Sequence, residues 1–280
     1  MIYSIKKIVI LSLILTSVVS QSQTRFETGT WDEIKQKATK ENKLIFVDLY
    51  FTGCAPCAQM DAEVFPNTFV STFLSENYIA FKSDIFKEEI GKKLSLKYGV
   101  TGFPTFLFLT ANGAVLDISS GFHNVDEFTA LLSSIKNKAN NKQYKKYSTN
   151  LDGDYPKFYR DAYLKSKRSI AYETIDAFLK KQENLGDEIP FVVITGLRAS
   201  GKYADYILDN AEQLAKDYSS MQVRNSLLTI VNQKATTLGK ANDETAFNKV
   251  LEKAKPIFTK KEWGRFGELF QENFNKNKEQ

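Results

Sequence analysis

Tyr50-Phe51-Thr52-Gly53-Cys54-Ala55-Pro56-Cys57-Ala58-Gln59-Met60 holds both cysteines of this chain, set in a C-x-x-C spacing. A thiol attacks as its thiolate, and a cysteine at a helix N-terminus gains thiolate character from unpaired backbone N–H groups and the macrodipole. A strand-to-helix turn carrying C-x-x-C supplies that geometry. Cys54 is expected at the exposed start of a helix as the attacking sulfur, with Cys57 one turn in, shielded and placed to resolve a mixed disulfide. Pro56 agrees with this, because proline is tolerated in the first helical turn, where its missing N–H has no partner to lose.

Three chemistries compete for the pair. Structural zinc needs four ligands, and besides the cysteines the chain offers one histidine, His123; the metal would have to recruit carboxylates, and no metal site is expected. A disulfide kept for stability alone would close a very short loop, which removes little unfolded-state entropy. A reversible dithiol/disulfide couple is the favoured reading, with the Cys54–Cys57 pair as the redox centre and no separate cofactor.

Around this stretch, 280 residues of 42% hydrophobic content leave room for two domains with real cores. The first twenty residues stand apart: Lys6 and Lys7 precede an apolar run from Ile8 to Val19, with small residues at its end. That run is short for a bilayer crossing. A cleaved signal peptide over 1–20 is therefore expected, giving an exported, periplasmic or secreted chain with no membrane attachment after cleavage. Export leads to an oxidising compartment. A chain that enters it with one C-x-x-C has placed its whole cysteine complement in one reactive pair.

Residues 21–139 carry 12 basic and 14 acidic side chains, and residues 140–280 carry 24 and 19. The pI near 8.9 comes from the second half, where both signs are interleaved along helix-like segments. That is the pattern of a solvated helical surface. Nucleic acid binding, which calls for basic and aromatic residues on one stripe, is not expected.

In chain order, Trp31–Glu41 has helical periodicity, with Trp31, Ile34 and Ala38 on one side. Leu44-Ile45-Phe46-Val47 reads as a central strand covered on both faces, and Asp48 within it should be buried. Helical spacing resumes after Cys57 through Met60 and Val64 toward Phe69, Phe73 and Leu74. Tyr78–Ile85 reads as a strand and Glu88–Tyr98 as a helix closed by Gly99. Asn112-Gly113 marks a hairpin pairing 106–110 with 115–119. Asn124 and Glu127 resemble a capping box opening a helix over Phe128, Leu131, Leu132 and Ile135. His123, just before it, reads as a surface residue at a turn. The polar stretch from Asn140 to Pro156 marks a boundary. Beyond it every apolar pattern is helical, giving an all-helical domain at 140–280, read as helix pairs stacked like a short solenoid.

The first half resembles the thioredoxin-like superfamily. The resemblance rests on C-x-x-C after an apolar strand, an acid six positions before the first cysteine, and Gly102-Phe103-Pro104-Thr105 ahead of a hairpin. It is most similar to exported members that open like Trp31-Asp32-Glu33-Ile34 and continue past a residue like Met60 into Val64-Phe65. The implied architecture is an α/β thioredoxin-like fold at 21–139, a central mixed sheet flanked by helices, followed by the all-α domain.

The resemblance makes Cys54 the nucleophile, Cys57 the resolving thiol and Asp48 the buried acid that takes the proton of Cys57. Burial raises a carboxylate's pKa and suits it to that task. Pro104 falls where the family keeps a cis-proline, so Phe103 and Pro104 are implied as backbone contacts for an extended substrate. Lys82 is a candidate charge partner of Asp48, though the pattern leaves its register open. Gly53 stands where the family usually has tryptophan, which alters the substrate surface beside Cys54, and Ala-Pro replaces the commoner Gly-Pro between the cysteines.

The expected function is thiol:disulfide exchange on disulfide- or thiol-bearing protein substrates, in the reducing or isomerising direction, with an unidentified redox partner. A rival expectation makes the chain an exported binding or assembly protein, with the helical half doing the work and the first half as scaffold. Its motive is the Tyr and Phe content of that half.

Overall fold

The computed structural model describes residues 24–167 and 169–278; the signal peptide expected over 1–20 lies outside them. Helix α1 (Trp31–Glu41) opens on a capping box. The Glu33 N–H donates to Thr30 Oγ1 at 3.3 Å, and the Thr30 N–H to Glu33 Oε2 at 2.7 Å. Strand β1 (Leu44–Tyr50) follows, then α2 (Ala55–Gln59), α3 (Thr68–Asn77), β2 (Tyr78–Asp84), α4 (Glu89–Lys97), β3 (Thr105–Leu109), β4 (Val115–Ser120) and α5 (Val125–Asn140). The strands form one sheet in the order β2-β1-β3-β4, with β1 parallel to β2 and the other pairs antiparallel. This is the mixed sheet flanked by helices that the resemblance implied.

Because side chains alternate along a strand, β1 feeds two cores. Ile45, Val47 and Leu49 join one buried cluster, while Phe46 joins Phe106, Phe108, Met60, Phe65 and Phe128 in the other. Asp48 lies on the Phe46 side and is fully buried.

The helix expected from Cys57 to Leu74 is not continuous. After Gln59 the backbone widens into a π-helical turn, Met60–Val64, in which the Phe65 N–H reaches the Met60 carbonyl at 2.9 Å. Pro66 then has no N–H to continue with, and Asn67 caps α3 by accepting the N–H groups of Phe69 and Val70. The wider turn puts Met60 and Val64 in the core and leaves Asp61 at the surface.

The rest of the described chain is helical: α6 (Lys157–Leu164), α7 (Tyr172–Leu179), α8 (Glu188–Gly196), α9 (Lys202–Asp209), α10 (Ala211–Asp217), α11 (Ser220–Lys240), α12 (Glu244–Ala254) and α13 (Lys260–Lys278). α8, α9, α10, α12 and α13 all pack on α11, a bundle round one long helix and not a stacked file of pairs. Its aromatics are mostly interior: Tyr159, Tyr203, Tyr218, Phe191, Phe247 and Phe274 are buried. One apolar cluster runs from Ile45 and Leu107 through Tyr98 into Tyr159, Phe191 and Leu227. Even the stretch between α5 and α6 buries Tyr147 and Tyr155 in it. The Tyr147 ring sits edge-on to Tyr98 at 5.1 Å and to Tyr218 at 5.0 Å.

Candidate active site

Cys54 is the N-cap of α2 and is disulfide-bonded to Cys57, with 5.3 Å between their Cα atoms. The expectation of an exposed Cys54 is corrected: it is 5% exposed and Cys57 2%, although Gly53, Ala55 and Pro56 around them face solvent. As a cap, Cys54 turns its sulfur back over the helix start, where it meets both the Cys57 sulfur and the Cys57 N–H, 3.3 Å away. The Cys54 N–H is itself held by the Phe51 carbonyl at 3.1 Å.

Six residues before Cys54, in the strand that leads into this turn, Asp48 stands directly opposite Lys82 in the β1–β2 register. Lys82 Nζ lies 3.1 Å from Asp48 Oδ2 and 2.5 Å from Asp61 Oδ1. It is seated over the Tyr50 ring at 4.6 Å. Neither Asp48 oxygen receives a well-directed hydrogen bond from the described residues. Burial raises the Asp48 carboxyl to about 6, against a smaller opposing pull from Lys82. Burial also pushes the Lys82 ammonium down, but Asp48 and Asp61 outweigh it and hold the group above its ordinary value. Lys82 therefore is the partner the sequence left open. Asp61 is a third charge that the sequence reading missed, since only the π-helical turn aims it at Lys82.

Asp84 was also missed. It ends β2, buried, and its Oδ2 accepts the Thr52 N–H at 2.9 Å and the Thr52 hydroxyl at 2.7 Å. Its Oδ1 accepts the N–H groups of Phe86 at 2.9 Å and Lys87 at 3.2 Å. Burial works against its charge, but these bonds prevail and hold the carboxyl below its ordinary range. One carboxylate thus ties the loop before Cys54 to the loop after β2.

The Phe103–Pro104 peptide bond is cis. Thr105, next in the chain, pairs with Leu49 in the antiparallel β1–β3 register, which brings the proline turn to the end of the sheet where the cysteines sit. The Pro104 carbonyl is taken by the Gly121 N–H at 2.8 Å. The Phe103 ring meets Phe51 edge-on at 5.2 Å, and Phe51 meets Phe86 at 5.8 Å. Phe86 is 51% exposed, so this aromatic cluster, which includes Phe51 three residues before Cys54, opens to the surface. Gly53 has φ +95° and open space where a side chain would stand. His123 is less exposed than expected. Its ring packs near Phe106 and Phe128, its Nε2 is 2.9 Å from Ser119 Oγ, and burial holds its pKa below the ordinary value.

The family model described as Thioredoxin-like domain matches residues 31–136. Thioredoxin H4 of Arabidopsis thaliana is 35% identical over 96 residues, which are 34% of this chain and 75% of that protein. The chain belongs to the thioredoxin-like family. Thioredoxin-1 of Drosophila melanogaster is 33% identical over 81 residues, 29% of this chain and 70% of its own length. Among solved structures, a putative disulphide-isomerase from Bacteroides thetaiotaomicron is 29% identical with a TM-score of 0.37, covering 42% of this chain and 93% of that one. A thioredoxin from Thermus thermophilus is 22% identical with a TM-score of 0.36, covering 40% and 87%. In this thioredoxin-like chain the pair Cys54–Cys57, the acid Asp48 and the Phe103–Pro104 turn thus gather at one end of the sheet, whereas His123 belongs to the packing of α5.

Proposed function

We propose that the protein is an exported thiol:disulfide oxidoreductase acting on protein disulfides. In the reduced state the Cys54 thiolate attacks one sulfur of a substrate disulfide, forming a mixed disulfide and releasing the other substrate sulfur as a thiolate that takes a proton. Cys57 then gives its proton to Asp48, and its thiolate attacks the Cys54 sulfur. The mixed disulfide breaks, the second substrate thiol leaves, and Cys54–Cys57 closes as a disulfide. Two electrons have passed from the dithiol to the substrate. A second dithiol, the redox partner, returns them by the same exchange in reverse. Phe103 and Pro104 hold the extended substrate beside Cys54, and open Gly53 leaves that side uncovered.

The observation that carries this reading is Asp48: a buried carboxyl raised to about 6, in the strand that feeds the cysteine turn. A proton acceptor there serves the attack by Cys57, and so supports work in the reducing or isomerising direction. Reduction of insulin by the chain with dithiothreitol as electron source tests the proposal. Wild-type protein is expected to precipitate insulin chains well ahead of dithiothreitol alone, and Cys54→Ser to show only the background rate; equal rates for the two proteins would end it.

A further inference from the structure

The segment from α4 to the cis-proline, Tyr98-Gly99-Val100-Thr101-Gly102-Phe103, does not rest on the sheet alone. Its other side is covered by the helical half. Gln222, in the first turn of α11 and 6% exposed, donates from Nε2 to the Tyr98 carbonyl, and its Oε1 accepts the Tyr147 hydroxyl. One amide therefore joins the chain just before the proline turn to α11 and to the stretch between α5 and α6. One position on, Gly99 has φ +57°. A side chain there would stand 3.4 Å from the Gln222 amide and from Val192 of α8. From the other direction, a side chain added at Gly196 of α8 would stand 3.3 Å from the Gly99 Cα. The void left between Met221–Gln222 and residues 98–102 measures only ≈ 10 Å³.

We propose that Gln222 is a positioning residue for the Phe103–Pro104 turn, and that through it the helical half sets the affinity of the site for polypeptide substrates. The inference rests on the oxidoreductase reading. An extended substrate pairs its backbone with the chain at the proline turn, so its binding depends on where that backbone is held. A small disulfide needs only the sulfurs. The Tyr98 carbonyl is five residues before Phe103, and Gln222 is the side chain that fixes it from outside the first half. Gln222 shares no hydrogen bond with the cysteine turn or with Asp48, so the exchange chemistry itself is expected not to depend on it.

The test is Gln222→Leu in the full chain, with kcat and KM measured on insulin, the rate measured on 5,5′-dithiobis(2-nitrobenzoate), and Tm taken alongside. The expected result is a KM for insulin raised about fivefold or more, the scale of one lost buried hydrogen bond, with kcat on insulin and the rate on the small disulfide unchanged. Tyr147→Phe removes only the hydroxyl that orients the amide and is expected to move KM the same way by a smaller factor. It carries the test if Gln222→Leu fails to fold. Unchanged KM in a folded variant, or an equal fall of activity on both substrates, overturns the inference and leaves the oxidoreductase reading standing. If wild-type protein shows no Cys54-dependent turnover of either substrate, both fall together.

Discussion

Asp48, proposed above as the proton acceptor for Cys57, is a side chain whose burial works against folding. Its folded-state value of about 6 lies above the ordinary 3.8. Between those values the folded chain holds a proton that the unfolded chain has lost. The stability Asp48 contributes is therefore complete below about pH 4 and is lost as pH rises through about 6. At pH 7 the charged, buried carboxylate is a net burden. Asp48→Asn is expected to raise stability at pH 7 by about 1–3 kcal/mol, the upper figure being the full shift and the lower one allowing for the partner that Lys82 loses. The gain should vanish at about pH 4 in urea titrations. The same variant should reduce insulin about 10²-fold more slowly, with the inflection near pH 6 gone from its profile. A variant that loses stability at pH 7 would show that the carboxyl does not suffer from burial, and one that keeps wild-type turnover would show that it does not take the proton of Cys57.

Elements were legible in the sequence wherever their cause is local. The capping box Asn124/Glu127 forms as written, within four residues, while the second one, Thr30/Glu33 at the start of α1, was not read from the sequence. The four strands appear where apolar runs stood, with the hairpin strands at Thr105–Leu109 and Val115–Ser120, within a residue of expectation. The cysteines, Asp48 and Pro104 could be found because their spacing along the chain carries the resemblance. The π-helical turn could not, since a periodicity of 3.6 and one of 4.4 differ little over five residues. Asp84 and Thr52 are 32 residues apart, and nothing in either neighbourhood announces the other. Yet that link joins two elements at the site. Asp84→Ala leaves the Thr52 hydroxyl and the N–H groups of Thr52 and Phe86 without their acceptor. It is expected to lower stability by about 2–3 kcal/mol in chemical denaturation, and to raise amide hydrogen exchange at Thr52 and Gly53 more than in α5. Uniform exchange across the chain would mean that Asp84 supports the fold generally and not the cysteine loop.

At the scale of the whole molecule, the two halves of the sequence share buried chemistry. Lys97, with no exposed surface, reaches Glu188 at 2.6 Å and the Ser148 hydroxyl at 3.0 Å. Glu188 also accepts the Ser148 N–H at 2.6 Å. Burial pulls the Lys97 ammonium down, and Glu188 opposes it. A buried cation deprived of its partner destabilises a protein by about 3–5 kcal/mol. Tyr159 adds a hydrogen bond from its hydroxyl to the Leu96 carbonyl at 2.6 Å, and Ser219 one to the Ile118 carbonyl at 3.3 Å. A chain stopped after Asn140 would keep the complete sheet, both cysteines, Asp48 and Pro104. It would also expose Tyr98, Val100 and Ile118 and leave Lys97 unpaired. Such a chain is expected to melt about 10 °C or more below the full protein and to bind anilinonaphthalene sulfonate, while the full protein unfolds in one transition and binds little dye. Equal melting temperatures without dye binding would mean that the first half stands alone. The face of α4 toward the helices would then be a contact that the sheet does not need.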